Sequence, residues 1–276
     1  MPQRVIVDSN MLQERALRAY FLEAPDNFVV LPDFLWAEIY KQQSIAGLAA
    51  AFSVIRDFPD RLVGLRSAGE LAILDPRGAD LVERMLYQNV PEKMRSTFEA
   101  VALAEQGTPW VLEQLVERWS AASAHMDGML EGAVDIVQSL PEVADIFTAE
   151  EKRLCRTSYK YTPAMMEKIF GAAEQLYEEF IKGYEVSAGH VSPRHYYDAY
   201  LYRHGLAIII YSLWWIRNGS QLPKRLDKAR NDFIDLSFAI YATYFDGFLT
   251  QDTKAHWMYS NLHGALKALG ARHLGE

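Results

Sequence analysis

Strand-forming stretches are few in this sequence, and they sit at its two ends. "VIVD" at 5–8, "FVVL" at 28–31, "RLVGL" at 61–65 and "GFLT" at 247–250 are short β-rich runs bounded by turn residues. A helical-looking segment from Leu12 to about Glu23 separates the first two. After the second, Pro32 and Asp33 open a helical pattern that runs to Pro59. Strand alternating with helix is the pattern of a parallel sheet with helices packed on it.

The middle of the chain reads differently. From about Ala68 to Arg217 it is helix after helix, broken at Pro76-Arg77-Gly78, Pro91, Gly107-Thr108-Pro109, Pro141, Pro163 and Ser192-Pro193. There is no repeat of fixed period and no low-complexity tract. After the turn "RNGSQLP" at 217–223 come another helix, the strand "GFLT" and a last helix. The expected fold class is therefore α/β, with a long all-helical insertion between the third and fourth strands. The expected boundaries are 1–66 and 223–276 for the two parts of the α/β domain and 67–222 for the insertion.

Composition narrows the partners. Among 276 residues, 28 Lys and Arg against 36 Asp and Glu give a formal charge of −8, so a nucleic acid would have to be met by local basic patches. The single cysteine, Cys155, excludes an internal disulfide and a cysteine-based zinc cluster. It makes a reducing compartment the simple reading. The apolar run "GLAIIIYSLWWI" at 205–216 is too short to span a bilayer. With no signal-peptide pattern at the N-terminus, the chain reads as a soluble, cytoplasmic protein without a membrane partner.

Chemistry enters through the carboxylates. Asp8 ends the first β run and is followed by Ser9 and Asn10. Asp, Ser and Asn are common in turns and helix caps, but a carboxylate at the carboxyl end of a strand is also where α/β folds place their sites. Glu38 lies in the helix opened by Pro32-Asp33, within the apolar "LPDFLWAEIYK". Asp232 and Asp235, spaced i, i+3 in "NDFIDLSFAIYATYF", share one helix face. Asp246 closes that segment, and Asp252 directly follows "GFLT". Carboxylates gathered at one sheet edge repel one another, and a divalent cation relieves the repulsion. An all-oxygen donor set suits Mg²⁺ or Mn²⁺.

Taken in order, "VIVDSN", "LPDFLWAEIYK", "NDFIDLSFAIYA" and "DGFLTQDTKAH" resemble the PIN-like nucleases, metal-dependent ribonucleases that include many toxins of toxin–antitoxin pairs. The resemblance covers roughly residues 3–60 and 226–265; the helical insertion departs from it. It implies a Mg²⁺- or Mn²⁺-dependent endoribonuclease with Asp8, Glu38, Asp235 and Asp252 as catalytic, metal-holding acids. Asp232 is the competing ligand from the late helix, and Ser9, Asn10 and Thr250 would orient water or phosphate. An RNA substrate follows, with an antitoxin or other protein partner and a homodimer as further expectations. The alternative is a catalytically silent PIN-like module that binds RNA or a protein through its insertion.

Two basic groups offer themselves to an RNA backbone. Between Arg217 and Arg230 five cations (Arg217, Lys224, Arg225, Lys228, Arg230) face one acid, Asp227, a net of +4 that leads into the Asp232–Asp235 helix. Lys152, Arg156 and Lys160 fall on one helical stripe. The aromatic run "RHYYDAYLYRHG" suits core packing better than base stacking. His125, His190, His195, His204, His256 and His263 show no metal spacing, and Cys155 has no activating partner.

Overall fold

Val5, Ile6 and Val7 are all buried, which an apolar run with no alternation requires of a strand covered on both faces. They belong to β1 (Gln3–Val7), one of three interior strands of a five-stranded sheet. The computed structural model describes residues 3–87, 89–158, 161–183, 196–222 and 225–272, and only the backbone of Leu130, Glu131 and Leu226. β2 (Asn27–Leu31), β3 (Leu62–Leu65), β4 (Leu86–Tyr87) and β5 (Gly247–Leu249) complete the sheet in the order β4-β3-β2-β1-β5. All pairs are parallel except β3 with β4. The molecule is thus a mixed α/β protein with a mostly parallel sheet.

The fourth strand departs from the expected run of helices. Leu86 is buried and Tyr87 exposed, a two-residue edge pair too short to carry an alternating pattern. The segment between the third and fourth expected strands is therefore not wholly helical, and "GFL" becomes the fifth strand.

α1 (Arg15–Glu23) follows a 3-10 turn at Ser9–Met11. The helical pattern after β2 divides into α2 (Asp33–Tyr40) and α3 (Ile45–Phe52), because Gln43 takes a φ of 47°, outside helical space. Ser67 and Glu70 form a capping box at the start of α4 (Ala68–Ala72). α5 (Leu81–Arg84), α6 (Val90–Glu105) and α7 (Pro109–Ala144) follow. Then come α8 (Ala149–Thr157), α9 (Pro163–Gly183), α10 (Tyr200–Arg217), α11 (Leu226–Ala242) and α12 (Thr253–Ala268).

Pro91, Pro109 and Pro163 stand at helix starts, where a missing N–H costs nothing. Pro141 does not break its helix as expected. α7 runs through it in its final turn, with the ring exposed while Leu140 and Ala144 are buried on either side. The break expected at Ser192-Pro193 lies outside the described residues.

One hydrophobic cluster joins the sheet to the middle helices, from Val5 to Ala271. The run at 205–216 is the heart of α10, almost wholly buried, and among the described residues no helix is long and apolar enough to cross a membrane. Arg203 on this helix is fully buried, and its donors all find acceptors. They reach the Tyr197, Thr243 and Arg272 carbonyls, Thr243 Oγ1 and Asp198 Oδ1 at 2.8–3.4 Å. Tyr244 lies flat beneath the guanidinium at 3.7 Å. The aromatic run serves the core as expected: Tyr196, Tyr197 and Tyr202 pack edge-to-face against one another.

Candidate metal centre

The strand order reverses between β1 and β5. β2 and β3 extend the sheet on one side of β1, whereas the chain returns to lay β5 on the other. The crevice at such a reversal, beyond the carboxyl ends of the strands, is the usual binding position of open α/β sheets. Val7 is in register with Leu249, and the Asp8 N–H donates to the Leu249 carbonyl at 2.9 Å. Asp8 and Thr250 consequently leave the two strands side by side.

Asp8 is 4% exposed and makes no capping hydrogen bond to the 3-10 turn that follows it. Its partners are side chains. Oδ2 accepts from Thr250 Oγ1 and from Asn10 Nδ2, both at 2.7 Å, and Oδ1 accepts weakly from Ser9 at 3.4 Å. Thr250 Oγ1 also accepts the Asp252 N–H at 3.0 Å, and Asn10 Oδ1 the Gln251 N–H at 3.2 Å. Asn10 and Thr250 therefore fix Asp8 from both strands. Burial raises the Asp8 pKa; the Thr250 hydrogen bond opposes this, and the charge of Glu38 adds to it.

Glu38 projects from α2 with its side chain largely covered, and Lys41 meets it at 3.2 Å. On α11, burial pushes the Asp235 carboxyl up to about 7, against the pull of Lys254 and with the help of the charges on Asp252 and Asp8. Asp252 keeps the role of helix cap, its Oδ1 accepting the Ala255 N–H at 2.8 Å at the start of α12. The four acids picked from the sequence are thus linked through their fields: Glu38 to Asp8, and Asp8 and Asp252 to Asp235.

Other expectations fare differently. Asp232 turns aside, one oxygen taken by the Tyr211 hydroxyl at 2.6 Å and the other by Lys254. Asp246 does not close α11, which ends at Ala242; it accepts the Arg4 N–H at 2.6 Å, at the amino end of β5 and the opposite edge of the sheet from Asp8. Arg225 is paired with Asp227 at 2.6 Å, and Arg230 is half-buried with an unpartnered Nε. Lys228 is exposed and shares a helical stripe with Asp232 and Asp235. Arg217 donates to the Cys155 and Ser158 carbonyls. Lys152 pairs with Asp145, and Arg156 donates to the Ile216 carbonyl, so these two members of the stripe are engaged within the protein. Lys224, Lys160, His190 and His195 lie outside the described residues.

Lys254 and Tyr211 were not anticipated. Lys254 Nζ lies 2.9 Å from Asp235 Oδ2 and also bridges to Asp232. A lysine in the first turn of a helix opposes the macrodipole, which is the signal in "TQDTKAH" that acids must stand opposite it. Tyr211 is one of only two hydroxyls in "GLAIIIYSLWWI" and has no such positional mark.

The donor chemistry of Asp8, Glu38, Asp235 and Asp252 fits a hard divalent cation: oxygen only, net negative, partly buried. Among the described residues no three His, Cys, Asp or Glu side chains are drawn together closely enough to hold an ion as they stand, Asp235 being engaged with Lys254. Comparison with protein-family models, with curated proteins and with solved structures finds no match for this chain.

Proposed function

We propose that the protein is a Mg²⁺- or Mn²⁺-dependent endoribonuclease of the PIN-like kind, hydrolysing phosphodiester bonds at the β1–β5 crevice. The observation that carries this reading is the electrostatic linkage of Asp8, Glu38, Asp235 and Asp252 at the point where the strand order reverses. Burial raises the Asp8 and Asp235 carboxyls, and the charge of Glu38 on the first and of Asp252 and Asp8 on the second adds to it, which marks a site short of positive charge.

Asp8, Glu38, Asp235 and Asp252 would hold the metal, which when bound supplies an acidified water and charge stabilisation for the leaving oxygen. Asn10 and Thr250 fix the Asp8 carboxylate, so its orientation is set before substrate arrives. Lys254 offsets part of the acidic charge and stands ready to meet a phosphate oxygen. Lys228, on the same stripe of α11, extends positive charge along the approach.

Incubation of wild type and Asp8→Asn with single-stranded RNA and Mn²⁺ tests the reading. Cleavage by wild type and its loss in the variant are expected; equal rates in the two would end it. The alternative, a silent module that binds RNA or a protein, draws support from Lys254, an internal cation already paired with Asp235. Calorimetric titration with Mn²⁺ separates the two, since a silent module gives no heat that depends on Asp8.

A further inference from the structure

Across α2 from the acidic site, the carboxyl edge of the sheet opens into a second hollow of about 420 Å³. Leu31, Gly64 and Leu65, at the ends of β2 and β3, line it. α2 divides the two places: Trp36 and Tyr40 face the hollow, and Glu38, two residues from each, belongs to the acidic side. The hollow continues into a wider cleft of about 710 Å³ that contains Trp110, with Lys93, Thr97 and Arg118 common to both.

Three features of this cleft call for a ligand. Tyr87 and Trp110, 41% and 55% exposed, are among the few large apolar side chains left open to solvent, and both line it. Lys93 and Arg118 form no ion pair among the described residues, in a chain whose formal charge is −8. Arg118 touches the Tyr40 hydroxyl at 3.1 Å, which joins the cationic mouth to the aromatic wall. Two acids are also present. Asp33 is turned inward, its oxygens accepting from the Phe34 and Ala68 N–H groups and the Tyr241 hydroxyl. Glu92 lies in the wider part.

We propose that this cleft is a nucleotide-binding site, with the base stacked on its aromatic walls and the phosphate held by Lys93 and Arg118. A bare anion would leave the aromatic surface unexplained, and an apolar ligand would leave two cations unanswered; a nucleotide meets both. A hollow of this volume suits a ligand of that size. The same chemistry is offered by a free mononucleotide and by one unit of a single strand. The site does not depend on the metal reading, since none of its residues is among the acids of the β1–β5 crevice.

Tryptophan fluorescence of the full chain, with metal chelated to prevent cleavage, tests the proposal. The probes are a mononucleotide, its nucleoside, inorganic phosphate and a short single-stranded oligoribonucleotide. Saturable binding of the mononucleotide is expected, weakened at least about fivefold by Trp110→Ala, as loss of a stacking contact requires. The double variant Lys93→Ala/Arg118→Ala should weaken the mononucleotide while leaving the nucleoside unchanged. Asp8→Asn should bind as wild type does, even if it no longer cleaves RNA. Equal per-site affinity for mononucleotide and oligonucleotide identifies a free-nucleotide site; tighter binding of the oligonucleotide identifies a strand-binding one. Absence of saturable binding at low salt, binding no tighter than that of phosphate, or affinities indifferent to these substitutions would overturn it.

Discussion

Two buried clusters of charge in this protein are built on opposite principles. Around Arg203 and Asp198 the charged groups are saturated with partners: two guanidinium groups share the Asp198 carboxylate, Arg203 finds carbonyl and hydroxyl acceptors for its remaining donors, and Arg272 reaches Asp198 Oδ2 at 3.1 Å. At the β1–β5 crevice the acids Asp8, Glu38, Asp235 and Asp252 outnumber the cations Lys254 and Lys41 that meet them. A cluster with every donor and acceptor engaged needs nothing from outside and contributes to holding α10 against the end of α11. One with acids in excess stores repulsion that a cation can relieve. The contrast separates a cluster whose charges are engaged within the protein from one that keeps acids in excess.

The largest effect is expected from breaking the saturated cluster. Arg203→Met leaves Asp198 to Arg272 and strips the Tyr197, Thr243 and Arg272 carbonyls of their donor, and should lower unfolding free energy by about 3–5 kcal/mol in urea titrations. Asp8→Asn should leave stability unchanged or higher, because it removes a carboxylate that burial disfavours. A greater loss from Asp8→Asn than from Arg203→Met would invert the comparison. In function the ranking reverses: Asp8→Asn should cut RNA cleavage at least about 100-fold and weaken Mn²⁺ binding in calorimetry, by the logic of lost metal ligands.

Lys254→Met sharpens the same contrast. It leaves Asp232 and Asp235 without their cation, so the metal-free protein should lose about 1–3 kcal/mol. Added Mn²⁺ should then raise the melting temperature of the variant by more than it raises that of wild type. An equal rise in both would mean that lysine and metal do not address the same carboxylates.

The pH dependences carry opposite signs. Asp235 moves from 3.8 to about 7 on folding, so its contribution to stability is full below about 3.8 and is lost as pH rises through about 7. Over the same rise Mn²⁺ affinity should increase, as the carboxylate is freed of its proton. His204, buried among Phe180, Tyr200 and Phe233, moves from 6.5 down to about 4. Its contribution is full above 6.5 and is lost as pH falls through about 4. The smallest effect is therefore expected from His204→Phe, which should flatten the acid side of the stability profile; an unchanged slope would show that the imidazole is protonated in the folded state.

Strand runs covered on both faces were legible because continuous apolar residues admit few other uses; "VIVD", "FVVL" and "RLVGL" fall where the pattern puts them. The two residues of β4 carry no pattern at all, since Leu86–Tyr87 pairs only because β3 offers it an open edge. Pro141 misled because local chemistry says helix break, whereas packing of Leu140 and Ala144 carries α7 past it. At the site, position at strand ends and on helix faces marked Asp8, Glu38, Asp232, Asp235, Asp246 and Asp252 as candidates, and the PIN-like resemblance narrowed them to Asp8, Glu38, Asp235 and Asp252. Tyr211 could not, because its contact with Asp232 crosses from α10 to α11 and depends on how the two helices pack.

The hydrogen bond from Thr250 to Asp8 joins residues 242 positions apart. During synthesis from the N-terminus, β1 and β2 can meet early, but the outer edge of β1 waits for β5. At ribosomal rates that interval is roughly tens of seconds. Closing so long a loop is also entropically slow, and the cost falls on the step that brings Asp8 and Asp252 to one crevice. Sheet order thus acts as a timer: the chain must be made through Thr250 before the crevice can exist, and a nascent chain that has not reached it lacks the site.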